Sequence, residues 1–241
     1  MEIVNNKEMS GIGGIGGIKE SNDNKISYMT KASFTITYIL LLTTATITFI
    51  EAMRTNVPKI RHILNLETCI SIVAGYFYSV FIVQIEKPYQ GLWSDITKTR
   101  YVDWSITTPM MLLTLCLVLG MNSRVPIRIS IFLLILFFNY SMLYLGYLGE
   151  IGSIDRPTGC FTGFAAFFIM FAIIYHVFVK PGATTANLIL YFMYFAIWSI
   201  YGIVYLFGEE SKNVAMNILD LTAKCLIGLG LWAYYTKIFV I

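Results

Sequence analysis

The sequence predicts an all-α membrane protein, a bundle of seven transmembrane helices, and three observations carry that prediction. Of its 241 residues, 57% are hydrophobic and only 13% are charged, about half the charge of an ordinary soluble domain. The mean hydropathy is +0.69. Apolar runs long enough to cross a bilayer, which takes about 20 residues, recur seven times, and the connections between them are too short to hold a soluble domain. The cysteines, Cys69, Cys116, Cys160 and Cys225, lack metal-ligand spacing, and at least three lie within spans. They read as small apolar core residues, with neither a metal site nor a disulfide framework. The net charge of +3 says little about partners in such a chain, and nothing in it marks a nucleic-acid partner.

Taken in order, residues 1–32 are a polar tail containing the run from Gly11 to Ile18, too rich in glycine to hold a helix. The tail lacks the basic start and continuous apolar core of a signal peptide, so the first span is expected to direct insertion. The spans read as 33–54, 58–84, 99–120, 126–149, 159–180, 185–207 and 214–238, giving one transmembrane domain over 33–241. Arg54, Lys59, Arg61 and His62, then Arg124 and Arg128, then Lys180 and Lys237 fall at one end of the bundle. The acids Glu86, Asp95, Glu150, Asp155, Glu209 and Glu210 fall at the other. By the positive-inside rule the basic end is cytoplasmic, so the N-terminus is expected outside and the C-terminus inside.

Topology alone does not choose a function; the charges inside the spans do. Asp220 and Lys224 lie one turn apart on one face of the seventh span. Burying an isolated ammonium costs several kcal/mol even after relaxation, so such groups are paired and functional. A structural ion pair is the plain reading. The sharper one is that Lys224 is a covalent attachment point, because an amine in an apolar pocket beside a carboxylate is suited to a Schiff base with an aldehyde cofactor. In the third span Arg100, Asp103 and Thr107 stand at i, i+3 and i+7, presenting a cation, a carboxylate and a hydroxyl in steps along one face. Pro109 interrupts that helix, and the hydroxyls of Thr107 and Thr108 are expected to satisfy the backbone groups it frees. Trp198 and Tyr201 share a face of the sixth span and, with Trp104, would wall a long conjugated ligand.

Arg100-Tyr101-x-Asp103-Trp104-x-x-Thr107-Thr108-Pro109 resembles the third helix of the microbial rhodopsins, and Asp220-Leu221-Thr222-Ala223-Lys224 resembles their retinal-bearing seventh helix. The likeness covers all seven spans. Gly146-Tyr147-Leu148-Gly149-Glu150 is similar to proteorhodopsins in particular, and the isoleucine, asparagine and lysine usage suits the giant-virus subgroup. The resemblance implies all-trans retinal on Lys224, with Asp103 as primary counterion and proton acceptor, Asp220 as second counterion and Arg100 as outward gate. It places Trp104, Thr108, Met111, Met142, Gly146, Trp198 and Tyr201 around the retinal, and Tyr78 with its hydroxyl towards Asp220.

The departures bear on mechanism. Thr114 stands where pumps of the family carry an internal donor carboxylate, Phe77 replaces the histidine that pairs with the acceptor, and Gly202 replaces a proline. Lys212 falls near the position of a release-group carboxylate, which leaves Glu209 and Glu210 as release candidates. Glu67 lies about 16 Å along the second span from Tyr78 and within about 20° of its face, so it points into the cytoplasmic half. Buried there it would stay protonated in the dark, the state a donor requires; the plain reading is a carboxyl hydrogen-bonded to a neighbouring helix, Thr114 included. The expected function is a light-driven outward proton pump, an ion transporter and not an enzyme, with a light-gated cation channel or a slow sensory photoreceptor as alternatives. The expected partners are membrane lipid, protons and further copies of the chain, as a trimer or pentamer, in the plasma membrane of a host cell.

Overall fold

The computed structural model describes residues 26–238, so the glycine-rich run of the tail lies outside the described residues. Seven helices follow one another: α1 (Tyr28–Arg54), α2 (Pro58–Glu86), α3 (Leu92–Ser123), α4 (Ile129–Glu150), α5 (Arg156–Gly182), α6 (Thr185–Val204) and α7 (Glu209–Tyr235). Two of them widen locally into π-turns, α5 over Tyr175–Val179 and α7 over Leu221–Leu226.

Every expected span is present, but α1, α3 and α7 begin several residues earlier than hydropathy indicates. Hydropathy registers only the apolar part of a helix, whereas caps and backbone bonds decide where the helix starts. Ser27 Oγ accepts a bond from the Thr30 amide at 3.2 Å, and Asp155 and Thr184 cap α5 and α6 in the same way, at 2.9 and 3.2 Å. Gly91, at φ 90°, makes the left-handed turn from which α3 starts.

The bundle is apolar outside and polar at its centre. Ile36, Phe49, Val83, Leu133, Phe137 and Phe161 point outward, as suits hydrocarbon solvent, and α4 sits at the rim with only Ile135, Asn139 and Gly149 buried. One apolar core, around Leu112, Leu115, Phe171, Phe178 and Trp198, packs α3 against α5 and α6. A second, around Phe34, Tyr78, Phe81 and Ile96, packs α1, α2 and α3. Between the two lie the ionisable side chains.

The expected response to Pro109 needs correction. Proline at this position leaves the Ser105 carbonyl without its helical donor. Thr107 and Thr108 donate instead to the carbonyls of Asp103 and Trp104, at 2.9 and 2.7 Å. The freed Ser105 carbonyl is satisfied from a neighbouring helix, by the Tyr140 hydroxyl of α4 at 3.1 Å.

Candidate functional site

The π-turn of α7 begins directly after Asp220 and contains Lys224, and it directs both side chains into the centre of the bundle. Lys224 Nζ lies 3.0 Å from Asp103 Oδ2 and 3.2 Å from Asp220 Oδ1, and all three side chains are at most 1% exposed. The two carboxylates are not equivalent. Asp220 Oδ2 accepts from the Tyr78 hydroxyl at 2.8 Å and from Arg100 Nη1 at 3.2 Å, while Oδ1 accepts from the Tyr201 hydroxyl at 2.7 Å and lies 3.4 Å from Trp104 Nε1. Asp103 has Lys224 as its partner through Oδ2, and its Oδ1 is buried without one.

Arg100 completes the charge balance, two cations facing two carboxylates. Its Nη2 donates to Asn213 Oδ1 at 3.1 Å and Asn217 Oδ1 at 2.9 Å, and its guanidinium lies over the Phe81 ring at 5.0 Å. The sequence reading missed both asparagines. Asn217 also donates from Nδ2 to Ser33 Oγ at 2.9 Å, and its Oδ1 lies 3.0 Å from the Tyr78 hydroxyl, so it ties α1, α2 and α3 to α7. Thr107 is buried on the Asp103 face as expected, yet its hydroxyl bonds the backbone of Asp103 and not the carboxylate. It offers no step to a proton leaving that side chain.

Lys224 opens into a cavity whose lining is almost wholly apolar, as is usual for small-molecule pockets. Trp104, Thr108, Met111, Met142, Gly146, Trp198 and Tyr201 all line it, as expected. Trp104 meets Tyr201 edge-on at 5.5 Å. Tyr78 is not in the lining; it reaches Asp220 from the side away from the cavity. Cys160, Phe164, Phe167 and Tyr205 add to the wall and left no signal in the sequence. Asn139 did leave one, as the only amide of the apolar α4, and its Nδ2 donates to Thr108 Oγ1 at 2.9 Å. An amine between two carboxylates, at the mouth of an apolar, aromatic-walled cavity, fits a retinal joined to Lys224.

Away from the cavity, Glu67 is 2% exposed and its Oε1 has no partner, which puts it inside the bundle as the spacing required. Glu209 and Glu210 are otherwise engaged. Glu209 Oε1 pairs with Lys212 at 3.0 Å and with Arg156, while Glu210 Oε1 accepts from the Ser27 amide at 3.1 Å and the Thr30 hydroxyl at 2.7 Å. Lys212, 1% exposed, also holds both oxygens of Glu150, at 3.0 and 2.9 Å. Carboxylates so held by cations and donors have no stored proton to hand on, which counts against the release role expected for Glu209 and Glu210.

The amine, its paired carboxylates and the aromatic cavity define a retinal protein of the membrane. Consistent with that class, the chain belongs to the bacteriorhodopsin-like protein family, whose model matches residues 29–238. It is similar to the viral rhodopsin OLPVRII, whose crystal structure is 44% identical with a TM-score of 0.83, over 88% of this chain and 100% of that one. It is 26% identical to the green-light absorbing proteorhodopsin of Gamma-proteobacterium EBAC31A08, over 89% of this chain and 90% of that protein. The blue light-absorbing proteorhodopsin from Med12 aligns with a TM-score of 0.66 at 26% identity, over 86% of this chain and 96% of that one. The viral and proteorhodopsin resemblances of the sequence are both borne out, and the family implies a retinal chromophore in an integral, multi-pass membrane protein.

Proposed function

We propose that this protein is a light-driven outward proton pump that carries all-trans retinal on Lys224, with its N-terminus outside. The observation that carries the reading is the inequality of the two carboxylates beside Lys224 Nζ. Protonating Asp220 weakens three charge-assisted hydrogen bonds of 2.7–3.2 Å besides its pairing with Lys224, each worth about 1.5–3 kcal/mol. Protonating Asp103 disturbs its link to Lys224 alone, and Oδ1 is free to take the proton. Asp103 is therefore the acceptor and Asp220 the fixed counterion.

Retinal, when bound, supplies light absorption and an isomerisation that redirects the proton on Nζ. The chain's own residues do the rest. Asp103, whose Oδ2 lies 3.0 Å from Nζ and whose Oδ1 is free to hold a proton, receives the Nζ proton. Arg100, fixed by Asp220, Asn213 and Asn217, places a positive charge on the outward side and hinders the proton's return. Glu67, on the inward side, is the carboxyl able to resupply Nζ where Thr114 cannot. A fixed carboxylate beside Nζ also repels chloride, which disfavours an anion pump.

A light-gated cation channel is the second reading, favoured by the unpartnered hydroxyls of Thr44, Ser71 and Thr114 in the same half as Glu67. Photocurrent at zero voltage with symmetric solutions separates the readings. A pump gives a steady outward current; a channel gives none there, and its reversal potential follows the ions. Coloured, membrane-inserted protein without a stationary current at zero voltage would refute the pump.

A further inference from the structure

On the Glu67 side of Lys224, four buried polar atoms make no hydrogen bond of ordinary geometry: Thr44 Oγ1, Glu67 Oε1, Ser71 Oγ and Thr114 Oγ1. They come from three helices. Glu67 and Ser71 are one turn apart on α2, Thr44 comes from α1, and the Thr114 hydroxyl of α3 lies near enough to the carboxyl to act as a weak hydrogen-bond partner. From α7 the facing residue is Gly228, one turn beyond Lys224. A Cβ at Gly228 would stand 2.8 Å from Glu67 Oε2 and 3.2 Å from Thr44 Cγ2. Both separations are tighter than ordinary contact, so any side chain there must displace the carboxyl or the threonine. Glycine inside a helix is destabilising relative to alanine, and here no positive φ calls for it. Space does. A Cβ at Gly230, two residues on, would have nothing within 4 Å.

Buried polar groups without protein partners are normally satisfied by ordered water, given two to four such groups around the site. We propose that Gly228 is the positioning residue of a water site at Glu67: its missing side chain leaves the carboxyl in place beside Thr44, Ser71 and Thr114, whose hydroxyls hold water leading towards Lys224. The proposal rests on the reading of Glu67 as proton donor. With a Cβ at 228 the carboxyl is displaced, and the water path to Nζ is broken on the donor side.

The test compares Gly228→Ala with wild type, with Glu67→Gln, with the double variant and with Gly230→Ala as a control in the same helix. The first readout is decay of the deprotonated state of Lys224 Nζ after a flash. Gly228→Ala is expected to slow it severalfold with rescue by azide, to slow it no further in the Glu67→Gln background, and Gly230→Ala to leave it unchanged. The second readout needs no turnover. In hydrogen–deuterium difference infrared spectra of the dark protein, the carboxyl band deleted by Glu67→Gln is expected to move in Gly228→Ala and to stay put in Gly230→Ala. Wild-type decay with an unmoved band in Gly228→Ala overturns the proposal, as do slowdowns that multiply in the double variant. Failure of the donor reading shows separately, as wild-type decay in Glu67→Gln. Should Gly228→Ala yield no coloured protein, Thr44→Ser removes the methyl 3.2 Å from the new Cβ, and Thr44→Ser/Gly228→Ala is read against Thr44→Ser.

Discussion

Replacing Lys212 by methionine isolates the charge cluster at the Glu209 end of the bundle. Lys212 Nζ is 2.9–3.0 Å from Glu150 and 3.0 Å from Glu209, and the side chains of Lys212 and Glu150 are 2% and 3% exposed. Removing one partner of a buried pair costs about 3–5 kcal/mol, because the other charge stays buried and unpaired. Two features reduce that figure. Arg156 still reaches Glu150 at 2.9 Å, although its side chain is 34% exposed, and Glu209 is 32% exposed, so its loss is screened by water. The expected cost is about 2–4 kcal/mol, on the order of 10 °C in the bleaching midpoint for a chain of this size. Thermal bleaching of purified, coloured protein measures it. Adding Glu150→Gln to Lys212→Met is expected to recover most of the loss, since the stranded charge goes with its partner. A midpoint within a degree or two of wild type in the single variant would refute the reasoning, showing that water reaches the cluster and screens it.

Three further outcomes follow from the geometry. Lys224→Ala is expected to be colourless when expressed with all-trans retinal, and normal visible absorbance would rule out attachment at that amine. Asp103→Asn removes the less satisfied of the two charges beside Nζ, so its absorption is expected to shift to the red and outward photocurrent to vanish; an unshifted variant that still pumps would move the acceptor role elsewhere. The Thr158 backbone and side-chain bonds hold the exposed Asp155 carboxyl below its ordinary value. Its cap on α5 is therefore complete above about pH 4 and fades as pH falls through the lower folded value. Amide exchange at Thr158, corrected for intrinsic rate, is expected to show less protection at the acid end in wild type, and Asp155→Ala to show that reduced protection at every pH.

The spans and the central charges were legible because each violates a default. A lysine and an aspartate inside an apolar run demand partners, and the resemblance of the Arg100–Pro109 stretch to the third helix of the microbial rhodopsins named two, Arg100 and Asp103, before any packing was known. The partners supplied by amides were not legible. Asn213 and Asn217 are ordinary residues in a sequence, and only the approach of α3 to α7 makes them acceptors for Arg100. Glu150 and Lys212 lie 62 residues apart near the ends of their helices, and nothing local in the sequence says that α4 and α7 bury them against each other. The Tyr140 bond to Ser105 was hidden for the same reason: proline announces a freed carbonyl but not which helix supplies the donor.

The two ends of the bundle are built on opposite principles, and that difference bears on direction. Towards Glu209 the polar groups are largely satisfied by one another: Arg100 by Asp220, Asn213 and Asn217, and Lys212 by Glu150 and Glu209. Such a network opens only when a charge within it changes, and transfer of a proton from Lys224 Nζ to Asp103 is a change of that kind, since it removes one cation and one carboxylate together and leaves Arg100 facing Asp220 alone. Towards Glu67 the Thr44, Ser71 and Thr114 hydroxyls and Glu67 Oε1 make no hydrogen bond of ordinary geometry, and transfer there depends on water reaching them, whatever the charge at the centre. On the pump reading, then, the outward side is switched by charge and the inward side by hydration. The two switches answer to different variables, so they need not open together, and a bundle whose ends do not open together can move protons one way.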